Sequence, residues 1–302
     1  MNEPATHTRR SFCTLGANVA AALAAAPHVA LGRTLLRLAA PFAPDIGVCT
    51  SIGNADVLRR SGAAYVEDSV RRLLIPDKPD AAFARQLDSA QACGLPVRAA
   101  NGFLPGSLKC VGPQASHERV LAFAETAFRR AARVGIEVIV FGSSGARSIP
   151  DGFDRRRAEL QFVALLGKMS ILARRYNVTV AVEPLNRDET NFINTVEEGA
   201  RLVEAVQHPN IMLVADIYHM LREDEPPAHI RAARAFIHHV HIAEQEGRTA
   251  PGVHGEDFTP YFQALGDIGF DGPISIECRW RDLAAQLPRA MTTMRDQMAR
   301  VA

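Results

Sequence analysis

From Pro44 onward, short apolar runs alternate with longer stretches whose apolar residues recur at helical spacing. That is the pattern of repeated strand-helix units around a parallel sheet. Eight runs read as strands: Ile46 to Cys49, Ala64 to Glu67, Val97 to Ala100, Glu137 to Phe141, Val178 to Glu183, Ile211 to Asp216, Ile237 to Ile242 and Pro273 to Glu277. Between them, Val120, Phe123, Ala124, Ala127 and Phe128 mark one helix face, and Phe162, Leu165, Leu166, Met169 and Leu172 mark another. Eight such units in about 250 residues match an α/β fold of the (β/α)8 TIM barrel type, a single domain over residues 44–302. A doubly wound open sheet is the alternative. It is disfavoured because no Gly-x-Gly-x-x-Gly follows the first strand, and Gly47 to Gly53 has neither that spacing nor a P-loop lysine. Gly142-Ser143-Ser144-Gly145, after the fourth strand, reads as a loop bordering a pocket rather than a phosphate cradle.

Four of the later runs close on a polar residue: Glu183, Asp216, His241 and Glu277. In a barrel all four strand ends converge at one mouth, where they would offer three oxygens and one nitrogen to a divalent metal. Each has an ordinary reading alone; Asp216, for example, can cap the helix that follows it. Four together favour a metal site. A hard cation held by three carboxylates and one imidazole keeps open positions for two neighbouring sugar oxygens, and would polarise a carbonyl and stabilise an enediolate. Moving a proton from one face of the adjacent carbon to the other needs a base and an acid on opposite sides, and Glu183 and Glu277 arrive from different strands.

The composition, 47% hydrophobic and 22% charged over 302 residues, suits one large domain with a full core. Lysine and arginine number 34 against 33 acidic residues, so no basic field for nucleic acid is present. Thr8-Arg9-Arg10-Ser11-Phe12-Cys13, followed by an alanine-rich stretch, resembles a twin-arginine export signal occupying residues 1–32. The stretch is interrupted by Asn18, Pro27 and His28, and is milder than a spanning helix of about 20 strongly apolar residues, which favours cleavage near Ala26 or Ala30 over anchoring. The expected location is the periplasm, with no membrane association after cleavage. Cys49, Cys93, Cys110 and Cys278 remain, without a Cys-x-x-Cys pair, and buried free thiols are the default reading.

From Glu183 onward, Glu-Pro-Leu-Asn-Arg, Asp-x-x-His at Asp216 to His219, His-x-His at His239 to His241 and Ser-Ile-Glu at Ser275 to Glu277 follow one another in an order that resembles the xylose-isomerase-like TIM barrels. That superfamily includes sugar isomerases and epimerases such as the tagatose and psicose 3-epimerases, and extends to AP-endonuclease-like barrels. The resemblance implies a metal set of Glu183, Asp216, His241 and Glu277, with Glu183 and Glu277 as the proton carriers. It further implies substrate contacts at Glu189, His219 and Arg248, although the loop that carries Arg248 is one residue longer than the usual pattern. His254, on the loop before Gly255, is a fourth candidate for substrate binding. Glu67, Asn101 and Ser143 are placed to line the pocket, His239 reads as a hydrogen-bonded core histidine, and Phe103 and Trp280 as core or as apolar walls.

The expectation is therefore a divalent-metal-dependent sugar isomerase or epimerase with one Mn or Mg ion, Co and Zn being compatible, and a small carbohydrate as partner. A homo-oligomer is compatible with it. The alternative is a metal-dependent lyase that performs β-elimination on 3-keto-glycosides, which the periplasm favours because intact glycosides reach it. A non-catalytic sugar-binding barrel and a nuclease related to endonuclease IV rank lower. The nuclease would need extra histidine ligands after strands two and three, where Glu67 and Asn101 stand.

Overall fold

The computed structural model describes residues 42–301, so the twin-arginine segment and Cys13 lie outside the described residues. Eight parallel strands, β1 (Ile46–Cys49), β2 (Tyr65–Ser69), β3 (Val97–Asn101), β4 (Val138–Phe141), β5 (Thr179–Val182), β6 (Ile211–Asp216), β7 (Ile237–Ile242) and β8 (Ile274–Ile276), follow one another around a closed barrel. Closure is made by β8 pairing with β1, Gly47 opposite Ser275. All eight strands stand where the apolar runs predicted, with ends displaced by no more than two residues. The helices are α1 (Ala55–Arg60), α2 (Asp80–Ala92), α3 (His117–Val134), α4 (Ser144–Arg147), α5 (Arg155–Arg175), α6 (Val196–Val206), α7 (Ile217–Arg222), α8 (Ala228–Ala232), α9 (Thr259–Asp267) and α10 (Leu283–Met298). Among the described residues no helix is long and apolar enough to cross a membrane.

Helix starts follow local chemistry. Asp154 caps α5 by accepting from the amide of Arg157, Thr195 caps α6 through Glu198, and Asp282 caps α10 through Ala285. The apolar stripes of α3 and α5 pack onto the outer face of the barrel, with Ala124, Phe128, Phe162 and Leu166 fully buried. A run of rings from Phe103 through Phe141 and Phe162 to Phe192, centroids 5.3 to 5.5 Å apart, fills the space behind β3 to β5.

Because successive side chains alternate faces, every second strand residue points into the barrel. The lower layers are Tyr65, Ala99, Val138, Val140, Ala181 and Val214, a small core separate from the helix-facing one. Tyr65 spans the lumen and its hydroxyl meets Ser275 Oγ at 2.7 Å. Gly47 is required beside it: a Cβ there would lie 2.2 Å from the ring. The interior is thus plugged below, and the polar residues at the strand ends stand on a packed floor. All four cysteines in the described part are free thiols.

Phe162 bridges two other rings with no exposed surface, so Phe162→Ala should destabilise the fold by about 3–5 kcal/mol. Equilibrium denaturant unfolding checks this, and a loss below 1 kcal/mol would deny the ring run its structural part.

Candidate active site

Glu183, Asp216, His241 and Glu277 meet at the C-terminal mouth of the barrel, with one ligand atom from each within 4.8 Å of all the others. His241 is the centre. Its Nδ1 lies 2.7 Å from Glu183 Oε1, 3.2 Å from Glu277 Oε2 and 3.9 Å from Asp216 Oδ2, while its Nε2 bonds Glu67 Oε1 at 3.0 Å. Glu67 is fully buried and also accepts from His239 Nε2 at 2.8 Å. It therefore does not line the pocket, as its position after the second strand suggested. It sits beneath the cluster, fixes the ring of His241 and directs Nδ1 at the three carboxylates, the arrangement that metal-binding histidines use. His239 is the hydrogen-bonded core histidine that the alternation along β7 predicted.

Asp216 divides its two oxygens between two tasks. Oδ1 caps α7 by accepting from the amides of Tyr218 at 2.8 Å and His219 at 3.4 Å. Oδ2 is buried and makes no hydrogen bond among the described residues, Arg248 and His219 Nε2 each standing 3.5 Å away. An orphaned carboxylate oxygen among two further carboxylates is costly unless a cation joins them, so the residues fit a divalent ion with hard oxygen and borderline nitrogen donors.

The electrostatics report the same strain. Burial, with Glu277 and Asp216 as close like charges, pushes the Glu183 carboxyl up, although His241 opposes it. Burial likewise raises Asp216 against the pull of Arg248 and His241. Burial works against the charged form of His241, yet Glu67, Glu277 and Glu183 overcome it and hold the ring protonated well above the usual histidine range. Glu277 resists its own burial because His241 and Arg248 face it, and is held down to about 2.

Arg248 reaches into the cluster from the loop after β7. Its guanidinium bonds Glu277 Oε2, stands 3.5 Å from both Asp216 Oδ2 and Glu189 Oε1, and lies over the Tyr218 ring at 4.6 Å. Its backbone, like that of Gly247, is left-handed, at φ 52°. The loop is held by Glu244, fully buried, which accepts from the amides of Gly252, His254, Gly255 and Glu256 and from the Thr249 hydroxyl. Burial raises that carboxyl and the hydrogen bonds from His254, Thr249, Gly255 and Gly252 more than offset it, keeping it ionised.

His219 accepts at Nδ1 from the backbone amide and side-chain amide of Asn186, at 3.1 and 2.8 Å, which leaves its proton on Nε2. That N–H makes no hydrogen bond among the described residues, Asp216 Oδ2 lying 3.5 Å away; the residue lines the cavity, and burial lowers the ring's pKa to about 4, so it is a neutral donor at pH 7. Asn101 Nδ2 bonds Glu277 Oε1 at 2.8 Å and steadies the outermost glutamate. Gly142 leaves room for Glu183: a Cβ there would stand 2.2 Å from its Oε2.

The cavity over the cluster holds about 270 Å3, near the lower end of the roughly 300–1,000 Å3 usual for ligand pockets and suited to a small polar molecule. Glu183, Glu189, His219, Arg248, Glu277, Asn101 and Ser143 line it as the sequence predicted. His254 does not: its ring is 41% exposed, 3.5 Å from Glu246 Oε2, because Glu244 pins its backbone on the outer part of the loop. Nor do the proposed walls. Phe103 is buried in the ring run, and Trp280 packs against the helix-facing core. Glu244, Asn186 and the ring-fixing part of Glu67 were not read from the sequence; Glu67 alone carried a signal, an acidic residue ending a strand on the lumen face.

The family model for the xylose isomerase-like TIM barrel matches residues 55–298. The chain belongs to that family. Within this xylose isomerase-like family it is 34% identical over 115 residues to a ketose 3-epimerase of Arthrobacter globiformis, a stretch covering 38% of this chain and 39% of that protein. It is 32% identical over 111 residues to a 3-dehydro-D-guloside 4-epimerase of Escherichia coli (strain K12), covering 36% of this chain and 42% of the other. Both matches span less than half of the relative. The barrel superposes on a D-psicose 3-epimerase with D-tagatose from Clostridium cellulolyticum H10 with TM-score 0.72 and 21% identity, covering 85% of this chain and 99% of that one. It superposes equally, at 0.72 and 21%, on a 3-keto-D-glucoside 4-epimerase from E. coli, covering 84% and 100%. At such identity these likenesses establish the fold.

A metal bound at His241 Nδ1 must displace the proton held there, so affinity for Mn2+ should rise with pH by up to about tenfold per unit until the ring deprotonates by itself. Calorimetry at pH 6 and 8 in buffers of different ionisation heat should show proton release on binding, and His241→Ala should lower metal content by elemental analysis. Affinity independent of pH, or unchanged metal content, would remove His241 from the ligand set.

Proposed function

We propose that the protein is a divalent-metal-dependent sugar isomerase or epimerase that moves a proton beside a carbonyl. The observation that carries this is the convergence of Glu183, Asp216, His241 and Glu277, with Asp216 Oδ2 buried and making no hydrogen bond among the described residues, beneath a small polar cavity. The four residues would hold the ion, Mn or Mg by their hardness, with Co and Zn compatible. When bound, it supplies positive charge against the negative charge that develops on the substrate's carbonyl oxygen. The kinship with ketose 3-epimerases supports the same chemistry, and the likeness to a psicose 3-epimerase barrel supports the fold that hosts it.

The chain's own residues account for the remaining steps. Glu183 and Glu277 come from strands three places apart in the barrel, so a sugar lying between them presents one face of its reacting carbon to each. One removes the proton; the other delivers a proton to the opposite face, and they exchange parts in the reverse direction. Arg248 and the neutral His219 N–H donate to substrate oxygens, and Glu189 accepts from a hydroxyl. Asn101 keeps Glu277 aligned. Burial of the carboxylates excludes water that would otherwise quench the carbanion-like species.

A second reading takes only its substrate class, a 3-keto-glycoside, from the similarity to a 3-dehydro-D-guloside 4-epimerase, which is itself an epimerase. On a 3-keto-glycoside, removing the same kind of proton with departure of the substituent β to it is an elimination, and the enzyme would then be a lyase. Metal-loaded protein incubated in heavy water with ketoses and with 3-keto-glycosides separates the two. Deuterium at the carbon beside the carbonyl together with the epimeric product supports the isomerase or epimerase, and release of the aglycone supports the lyase. Glu183→Gln and Glu277→Gln should each lower the exchange rate by at least about 100-fold while preserving thermal stability. A variant retaining near-normal exchange would exclude that glutamate as a proton carrier.

The residues Arg9 and Arg10 support export of the folded, metal-loaded protein to the periplasm, with the signal removed near Ala26 or Ala30. Replacing both by lysine should retain the protein in the cytoplasmic fraction. Equal periplasmic yield from the variant would refute the signal.

A further inference from the structure

The cavity is charged unequally from one side to the other. The carboxylates and His241 stand at the ends of β5 to β8, and the cavity extends across the mouth to the ends of β2, β3 and β4 and the segments that follow, where Arg71, Asn101, Gly102 and Ser143 line it. Among the described residues no Phe, Tyr or Trp takes part in the lining, so a ligand's far end meets hydrogen-bonding groups and a cation rather than a stacking surface.

Arg71 is that cation. Its Nε donates to the Gly102 carbonyl at 3.1 Å, and among the described residues its two terminal nitrogens meet no carboxylate. Arg72 beside it is different: it is paired at 2.6 Å with the buried Asp68 and belongs to the framework. The segment is braced. Arg71 sits on a single π-helical turn, Val70–Leu74, whose Val70, Leu73 and Leu74 are buried. Buried Arg130 clamps the exit, donating to the carbonyls of Leu74 at 2.8 Å and Lys78 at 2.7 Å and to Asp80 Oδ1 at 2.8 Å. A guanidinium pinned through Nε keeps a two-pronged edge of N–H donors, the geometry that matches a carboxylate or phosphate.

We propose that Arg71 selects substrates bearing an oxyanion, a carboxylate or phosphate, on the end of the sugar remote from the reacting carbons. A substrate whose carbonyl lies over the β5 to β8 cluster extends toward the β2 to β4 loops. In that direction a neutral sugar leaves the guanidinium unpaired, whereas an acidic one pairs with it. The placement of the carbonyl rests on the isomerase or epimerase reading above; the charge recognition by Arg71 can be measured apart from it.

The test uses the metal-loaded protein with three probes of matched carbon skeleton: D-fructose, D-fructuronate and D-fructose 6-phosphate. Heavy-water exchange gives kcat/KM for each, and calorimetry gives their affinities. The wild type should favour one acidic probe over D-fructose by at least about tenfold, and whichever is preferred identifies the anion. Arg71→Ala should reduce that ratio by about 10- to 100-fold, mainly through KM, with Arg71→Lys retaining part of it. A wild-type ratio near one, or a ratio that Arg71→Ala leaves unchanged, overturns the proposal. If no probe exchanges deuterium, the sugar-carbonyl reading fails for this skeleton, and the affinities decide on Arg71. Tighter binding of an acidic probe that is lost in Arg71→Ala supports it, and equal binding of all three refutes it.

Discussion

One imidazole holds the site together. His241 is gripped from below by Glu67 and faces three carboxylates above, so the ring's two nitrogens divide the barrel mouth into a buried support and a place for a cation. Like charges this close, in a region with little water, raise one another's proton affinity and cannot all remain ionised without a positive partner. The protonated ring and Arg248 supply that charge in the structure described; a divalent ion would supply more of it and give Asp216 Oδ2 a closer partner than Arg248, 3.5 Å away. Affinity for metal and the electrostatic tension of the mouth are the same quantity seen from two sides.

The floor makes this affordable. Tyr65, Ala99, Val138, Val140, Ala181 and Val214 close the lumen with side chains, and the apolar stripes of the surrounding helices bury the outer faces of the strands. The mouth therefore rests on a close-packed framework of low compressibility, which keeps ligand atoms in register. Glycine matters at the points where two layers touch: Gly47 beneath Tyr65 and Gly142 beside Glu183 are both places where a single methyl group would move a residue of the site.

The loops around the mouth are organised by buried charges of their own. Glu244 gathers four backbone amides and a hydroxyl, and so holds the turn from which Arg248 descends. Arg130 does the converse for the segment that presents Arg71, gathering carbonyls. Each uses one ionised side chain to satisfy several backbone groups that no helix or sheet reaches. Arg248 and Arg71 are thereby set on stiff supports, although neither lies in a strand or an α-helix.

How much was legible follows from the range of each interaction. The eight strands, the helix faces and the caps are local consequences of side-chain period and backbone hydrogen bonding, and the chain states them directly. Residues that end strands on the lumen face inherit a common destination from the barrel, which is why Glu183, Asp216, His241 and Glu277 could be assembled from spacing alone. Contacts between loops distant in sequence have no such period. That Glu67 would turn under the cluster instead of into the cavity, that Glu244 would anchor the Arg248 loop and leave His254 outside, and that Arg71 would stand unpaired while Arg72 is paired depended on which side chains packing left room for. Only the closed barrel, which brings residues more than 170 positions apart into contact, as His239 with Glu67, could decide them.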